Sequence, residues 1–154
     1  MKTLIVYDSV FGNTKTLALA MGDAIGAPVM NVSECNAADL SGVGLLIAGS
    51  PTRAFRPTKP MSTFLSKLPK GSLGGMKAAA FDTRADLEEV RSKFLEFMVK
   101  LFGYAAPQME KQLASKGAVP AAAHAGFLVQ GTEGPLKPGE SERATAWAQS
   151  CVGA

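Results

Sequence analysis

Unbroken apolar runs alternate along the chain with apolar residues set at helical spacing. Residues 2–7 carry Leu4, Ile5 and Val6 side by side, as in a parallel strand covered on both faces. Residues 14–25 place Leu17, Ala18, Met21 and Ile25 on one helical face, and Gly26 stops the helix. Residues 28–32 read as a short second strand, and residues 45–49 as a third that halts at Ser50-Pro51. Pro60 opens the next helix at its first turn, where a missing N–H costs nothing. Met61, Phe64, Leu65 and Leu68 keep its phase, and Pro69 closes it. Residues 76–81 predict a fourth strand. A helix then carries Val90, Phe94, Phe97, Met98 and Leu101 on one face and breaks near Gly103; another runs over 107–116 to Gly117. Residues 125–130 predict a fifth strand, Glu133-Gly134-Pro135 a loop, and the last helix sets Ala144, Trp147, Ala148 and Cys151 at core spacing.

Five strand–helix alternations predict one α/β domain over residues 1–154, a parallel sheet with helices on both faces. Right-handed crossovers leave only a few doubly wound topologies. Ligands in such sheets bind beyond the carboxyl ends of the strands, where strand order reverses. Attention therefore falls on the loops after the first, third and fourth strands.

Composition narrows the picture. A chain of 154 residues, 47% apolar and 19% charged, suits one folded core and not a disordered segment. No apolar run reaches the roughly 18–20 residues that span a bilayer, so membrane insertion is not expected. The first strand meets Asp8 too soon for a signal-peptide core, which makes a cytoplasmic address the expectation. Cys35 and Cys151 form no CxxC pair and read as two small apolar thiols. The formal charge of +3 is spread along the chain, which argues against nucleic-acid binding.

The loop after the first strand, Asp8-Ser9-Val10-Phe11-Gly12-Asn13-Thr14, has the residues of an anion site. Gly12 lets backbone approach closely, Ser9, Asn13 and Thr14 offer side-chain donors, and a helix N-terminus favours negative charge. A plain helix cap explains the composition equally well. The loop has neither the GK[ST] ending of a nucleotide P-loop nor the GxGxxG fingerprint.

The stretch Ile5-Val6-Tyr7-Asp8-Ser9-Val10-Phe11-Gly12-Asn13-Thr14-Lys15-Thr16-Leu17-Ala18 resembles the flavodoxin signature along its whole length. The resemblance extends over nearly the whole chain, at the length of short-chain members. It implies a flavodoxin-like three-layer α/β/α fold with a five-stranded parallel sheet in the order 2-1-3-4-5, and FMN as cofactor. The phosphate would be held by Ser9, Phe11 and Gly12 through backbone, and by Asn13 and Thr14 through backbone and side chain, with Val10 also among the cofactor-binding residues. Ser50-Pro51-Thr52-Arg53-Ala54-Phe55 is similar to the family's first flavin loop, with Phe55 stacking on the ring or folding back on the core. Asp82-Thr83-Arg84 begins what resembles the second flavin loop, which here lacks the usual Tyr; Tyr104 has no role assigned.

The same resemblance implies electron transfer between redox partner proteins by a monomer or weak oligomer. Pro51-Thr52-Arg53 also resembles the corresponding loop of flavodoxin-like NAD(P)H:quinone oxidoreductases, an enzymatic alternative; a module that has lost its cofactor is a third. Arg53, Arg56, Lys59 and Arg84 crowd the flavin loops. Because fully reduced FMN is anionic, these cations imply a higher potential than in acidic flavodoxins, and an acidic partner. His124, the single histidine, reads as structural or exposed, and Trp147 as core.

Overall fold

The computed structural model describes residues 1–154. Four main parallel strands form the sheet: β1 (Thr3–Tyr7), β2 (Val29–Asn31), β3 (Leu45–Pro51) and β4 (Lys77–Ala85). Helices α1 (Asn13–Ile25), α2 (Lys59–Lys67), α3 (Leu87–Val90), α4 (Lys93–Phe102) and α5 (Ala105–Ser115) connect them or follow them. The chain ends with β5 (Val119–Pro120), β6 (Ala125–Val129) and α6 (Glu140–Gly153). Strand order is β2-β1-β3-β4-β5, all parallel, with β6 also on β4. The predicted order stands. No helix is long and apolar enough to cross a membrane.

The fifth sheet position differs from expectation. Residues β5 pairs Lys77 and Ala78, while β6 pairs Phe81 through Ala85 on the same strand. One sheet position is thus filled by two short pieces, with Ala121 to His124 between them. Pro120 lacks the N–H a continuous strand would use, which concealed the first piece in the sequence.

Side chains alternate across each strand and divide the core in two. Leu4, Val6, Leu46, Ala48 and Ala80 meet Met61 and Leu65 of α2 and Met109 and Leu113 of α5. Ile5, Tyr7, Ile47, Ala79 and Phe81 meet Leu17 and Met21 of α1 and Ala144, Ala148 and Cys151 of α6. Phe81, Phe127 and Trp147 form an edge-to-face cluster with centroids 5.9–6.2 Å apart, so Trp147 packs as expected. Gly49 makes room for it, since a Cβ there would overlap the Phe81 ring. Both cysteines are free thiols, and burial pushes each up to about 11. His124 is partly exposed and hydrogen-bonds Glu110 through Nδ1 at 3.2 Å.

Three boundaries move in ways that matter for the site. β3 continues through Ser50 and Pro51, which pair with Asp82 and Thr83, and β4 continues through Arg84, which pairs with Leu128 of β6. Asp82, Thr83 and Arg84 therefore lie on a strand and not in a loop. α5 begins at Ala105, ahead of Pro107, because Thr52 Oγ1 accepts the Ala105 N–H and Asp82 Oδ2 the Ala106 N–H. Those bonds satisfy first-turn donors that would otherwise be orphaned. The apolar helix over 90–101 becomes α3 and α4, and its apolar face is exposed, not core.

Candidate functional site

A cleft of about 480 Å³ opens at the carboxyl ends of β1, β3 and β4. Its walls come from four parts of the chain. Ser9, Val10, Phe11, Asn13 and Thr14 supply the loop after β1; Pro51, Thr52, Arg53, Ala54 and Phe55 supply the end of β3 and its loop. Thr83, Arg84 and Ala85 end β4, and Leu87, Leu95, Val99 and Tyr104 come from the segment after it. Val129 and Thr132 close the far side. Gly12, Ser50 and Asp82 do not line the cleft; the other residues expected from sequence do.

The first loop converges its N–H groups on an oxygen. Ser9 Oγ accepts from Gly12 at 3.1 Å and from Lys15 at 3.4 Å. Gly12 takes φ +94° as the N-cap of α1, a left-handed conformation that a side chain would strain. Ser9 Oγ thus gathers N–H groups at the start of α1, and a helix start is where backbone donors can hold a phosphate. The side chains of Asn13 and Thr14 are already engaged. Asn13 Nδ2 donates to the Glu133 carbonyl at 2.8 Å, and Thr14 Oγ1 shares a bond with Thr83 Oγ1 at 2.9 Å. A Cβ on Gly134 would strike the Asn13 amide, so glycine there lets the two loops touch.

Arg53 and Arg56 exchange backbone hydrogen bonds around Ala54 and Phe55, both of which have positive φ, +48° and +69°. Two non-glycine residues in that region form a strained turn that the surroundings must hold. Gln108 Nε2 donates to the Phe55 carbonyl, and the Phe55 ring packs on Phe102 with centroids 5.9 Å apart. Phe55 thus neither buries itself in the core nor stands free; it joins the cleft to α4. Ser50, fully buried, accepts the Thr58 N–H at 3.0 Å and supports the loop from beneath.

Asp82 is also fully buried. Both of its oxygens bind Arg84, to Nε and Nη2 at 2.7 Å each, and Oδ2 takes the Ala106 N–H as well. The guanidinium lies 3.5 Å from the centre of the Tyr104 ring and packs against Gly126, where a Cβ would overlap it. Burial raises the Tyr104 phenol, a shift that Arg84 opposes, so the phenol stays neutral at ordinary pH. Tyr104, to which the sequence assigned no role, lines the cleft, brought there by the N-terminus of α5. Sequence reasoning missed Leu87, Leu95, Val99, Val129 and Thr132 as lining residues. The helical phase of Leu95 and Val99, opposite Phe97, was the available signal.

The segment is anchored across the sheet. Lys137 Nζ binds Asp86 at 2.7 Å and Glu89 at 2.6 Å, and Glu89 accepts the Gly131 N–H at 2.9 Å. The Lys137 bond lowers both carboxyls and raises the amine.

No protein-family model and no curated protein sequence matches the chain. Solved structures do. Flavodoxin 2 from Bacillus cereus superposes with a TM-score of 0.78 at 20% identity, covering 99% of both chains. Flavodoxin 1 from the same organism gives 0.76 at 18% identity, covering 99% of this chain and 98% of its own. The flavodoxin, WrbA-like protein from Agrobacterium tumefaciens gives 0.70 at 16% identity, covering 98% of this chain and 95% of its own. With the strand order and the site at its carboxyl edge, these likenesses identify the architecture: the chain has the flavodoxin fold.

Proposed function

We propose that the cleft binds FMN and that the protein carries electrons between redox partner proteins. The observation that carries this reading is the first loop, whose N–H groups converge at the start of α1 beside an apolar slot. Ser9, Phe11, Gly12, Asn13 and Thr14 would hold the phosphate. Pro51, Phe55, Leu95, Val99 and Tyr104 would border the ring system. When bound, FMN supplies one- and two-electron chemistry, and the protein sets its orientation and potential.

The chain's cations act unequally in this scheme. Arg84 is balanced by Asp82, whereas Arg53 lies over Phe11, 5.3 Å from the ring centre, at the cleft wall. Arg56 and Lys59 are exposed and do not line the cleft. Arg53 is therefore the cation expected to favour an anionic reduced cofactor and raise its potential. Arg53→Gln should lower the two-electron potential of the reconstituted protein. An unchanged potential would remove Arg53 from that role.

One observation favours the enzymatic alternative: Pro51, Thr52 and Arg53 of the quinone-reductase-like segment all line the cleft. Incubating the reconstituted protein with NADPH and a benzoquinone separates the two readings. A carrier leaves NADPH unconsumed until a reductase is added; direct consumption makes the protein an oxidoreductase.

A further inference from the structure

A second hollow, of about 520 Å³, shares Ala54 and Phe55 with the cleft and is otherwise lined by Arg56, Ser62, Phe102 and Gln108. The turn that walls the cleft thus also walls this hollow, and the cofactor reading makes no use of it.

Its polar groups are unspent. Arg56 is exposed, and its guanidinium enters none of the ion pairs or side-chain hydrogen bonds of the chain. Ser62 Oγ bonds no other group either. Gln108 Nε2 donates to the Phe55 and Phe102 carbonyls, which turns the amide so that Oε1 is left as a free acceptor. No carboxylate lines the hollow. Residues 40–81, which supply Arg56 and Ser62, contain no Asp or Glu. On the flanking helices, Glu96 stands ~9 Å along α4 from Phe102, and Glu110 is engaged by His124. Ser62 and Gln108 also lie in the first turns of α2 and α5, where the helix dipole favours an anion.

The apolar part of the lining is aromatic. The Phe55 and Phe102 rings are tilted by 31°, and Phe102 keeps 51% of its surface exposed. Aromatic walls with a few placed polar groups are the make-up of a small-molecule site.

We propose that this hollow binds a small hydroxylated aromatic carboxylate. The Arg56 guanidinium, a planar fork of donors, takes the carboxylate. Gln108 Oε1 accepts from the ligand hydroxyl, and the ligand ring lies against Phe55 and Phe102. Other small ligands satisfy only part of this set. Inorganic phosphate would pair with Arg56 but leave both rings uncovered and give Gln108 Oε1 no apolar-bound donor. A neutral aromatic would cover the rings and leave the guanidinium unpaired.

The test is titration of the purified protein with 4-hydroxybenzoate, 4-hydroxybenzamide and inorganic phosphate, followed by chemical-shift mapping, with and without FMN. 4-Hydroxybenzoate should bind about tenfold more tightly than either of the others, with shifts centred on Phe55, Arg56, Ser62, Phe102 and Gln108. Arg56→Gln should weaken it about tenfold and erase its advantage over the amide, leaving the circular dichroism spectrum unchanged because Arg56 is exposed and unpaired. Lys59→Gln, a change to a neighbouring exposed cation outside the hollow, should leave the affinity as it was. Equal binding of the acid and the amide, displacement by phosphate at equal concentration, or full affinity in Arg56→Gln overturns the proposal. So does loss of 4-hydroxybenzoate when FMN is added, which would put the ligand in the cleft. Failure of FMN to bind would sink the cofactor reading alone, since the hollow is mapped on the free protein.

Discussion

The loop after β1 holds its cleft residues largely by short-range bonds, Gly12 and Lys15 to Ser9 and the turn of α1 that follows. The segment after β4 holds its own by bonds across the chain. Ala105 is tied to Thr52, Ala106 to Asp82, Lys137 to Asp86, and Gly131 to Glu89. Both regions wall the same cleft; the first builds its turn locally and ties only the Asn13 and Thr14 side chains to distant partners, Glu133 and Thr83. A locally built loop keeps its geometry when the surroundings change. The second wall stands or falls with a handful of distant partners, Asp82 chief among them.

The sharpest way to break this contrast is Asp82→Asn. It removes the charge that pairs with Arg84, leaves a single oxygen to accept, and sets an amide NH2 against the Arg84 or Ala106 N–H groups. Removing one partner of a buried pair costs about 3 kcal/mol or more. Chemical denaturation should show that loss, and the Tyr104 wall should loosen while the first loop keeps its shape. Unchanged stability would mean that Asp82 does not hold the segment.

Asn13→Asp works on the other region. It sets a carboxylate beside the expected phosphate and removes the amide donor to Glu133. FMN should bind about 100-fold more weakly, about 2.7 kcal/mol, with riboflavin little affected. Titration by flavin fluorescence reads both ligands, and an equal loss for both would move the phosphate elsewhere. Tyr104→Leu should do the converse, weakening FMN and riboflavin alike by about fivefold, since the ring contributes about 1 kcal/mol by stacking. A loss confined to FMN would show that Tyr104 does not border the ring system.

The smallest expected effect lies outside both regions. Glu140 accepts the Leu128 N–H at 2.6 Å and pairs with Arg143 at 2.7 Å. The Arg143 bond, then the Leu128 bond, holds its carboxyl below the usual value against the cost of burial. A carboxyl lowered on folding stabilises the native state above its unfolded pKa, near about 4.3, and that contribution fades as pH falls through the lower folded value. Glu140→Gln should therefore cost about 1 kcal/mol at neutral pH and progressively less in acid. A difference that does not shrink below about pH 4 would contradict the assignment.

Legibility in the sequence follows the same contrast. The strand–turn–helix at β1 and α1 was readable because its glycine, its hydroxyls and its apolar phase all lie within one short window. The sheet order was readable because buried parallel strands leave continuous apolar runs. Asp82-Thr83-Arg84 read as a loop because two charged residues on a strand are acceptable only once paired with each other, which sequence does not display. Tyr104 was invisible as a wall residue because its place depends on Thr52 and Asp82 capping α5. The helical phase of Phe94, Phe97, Met98 and Leu101 was plain, but periodicity alone does not say whether an apolar face meets the core or the surface.

The most direct measurement is a parallel titration of the purified apoprotein with FMN and riboflavin. If the first loop is a phosphate site, FMN should bind about 100-fold or more tightly than riboflavin, by about 2.7 kcal/mol. Equal affinity for the two, or no binding of either, would contradict the site built here on Ser9, Gly12, Asn13 and Thr14.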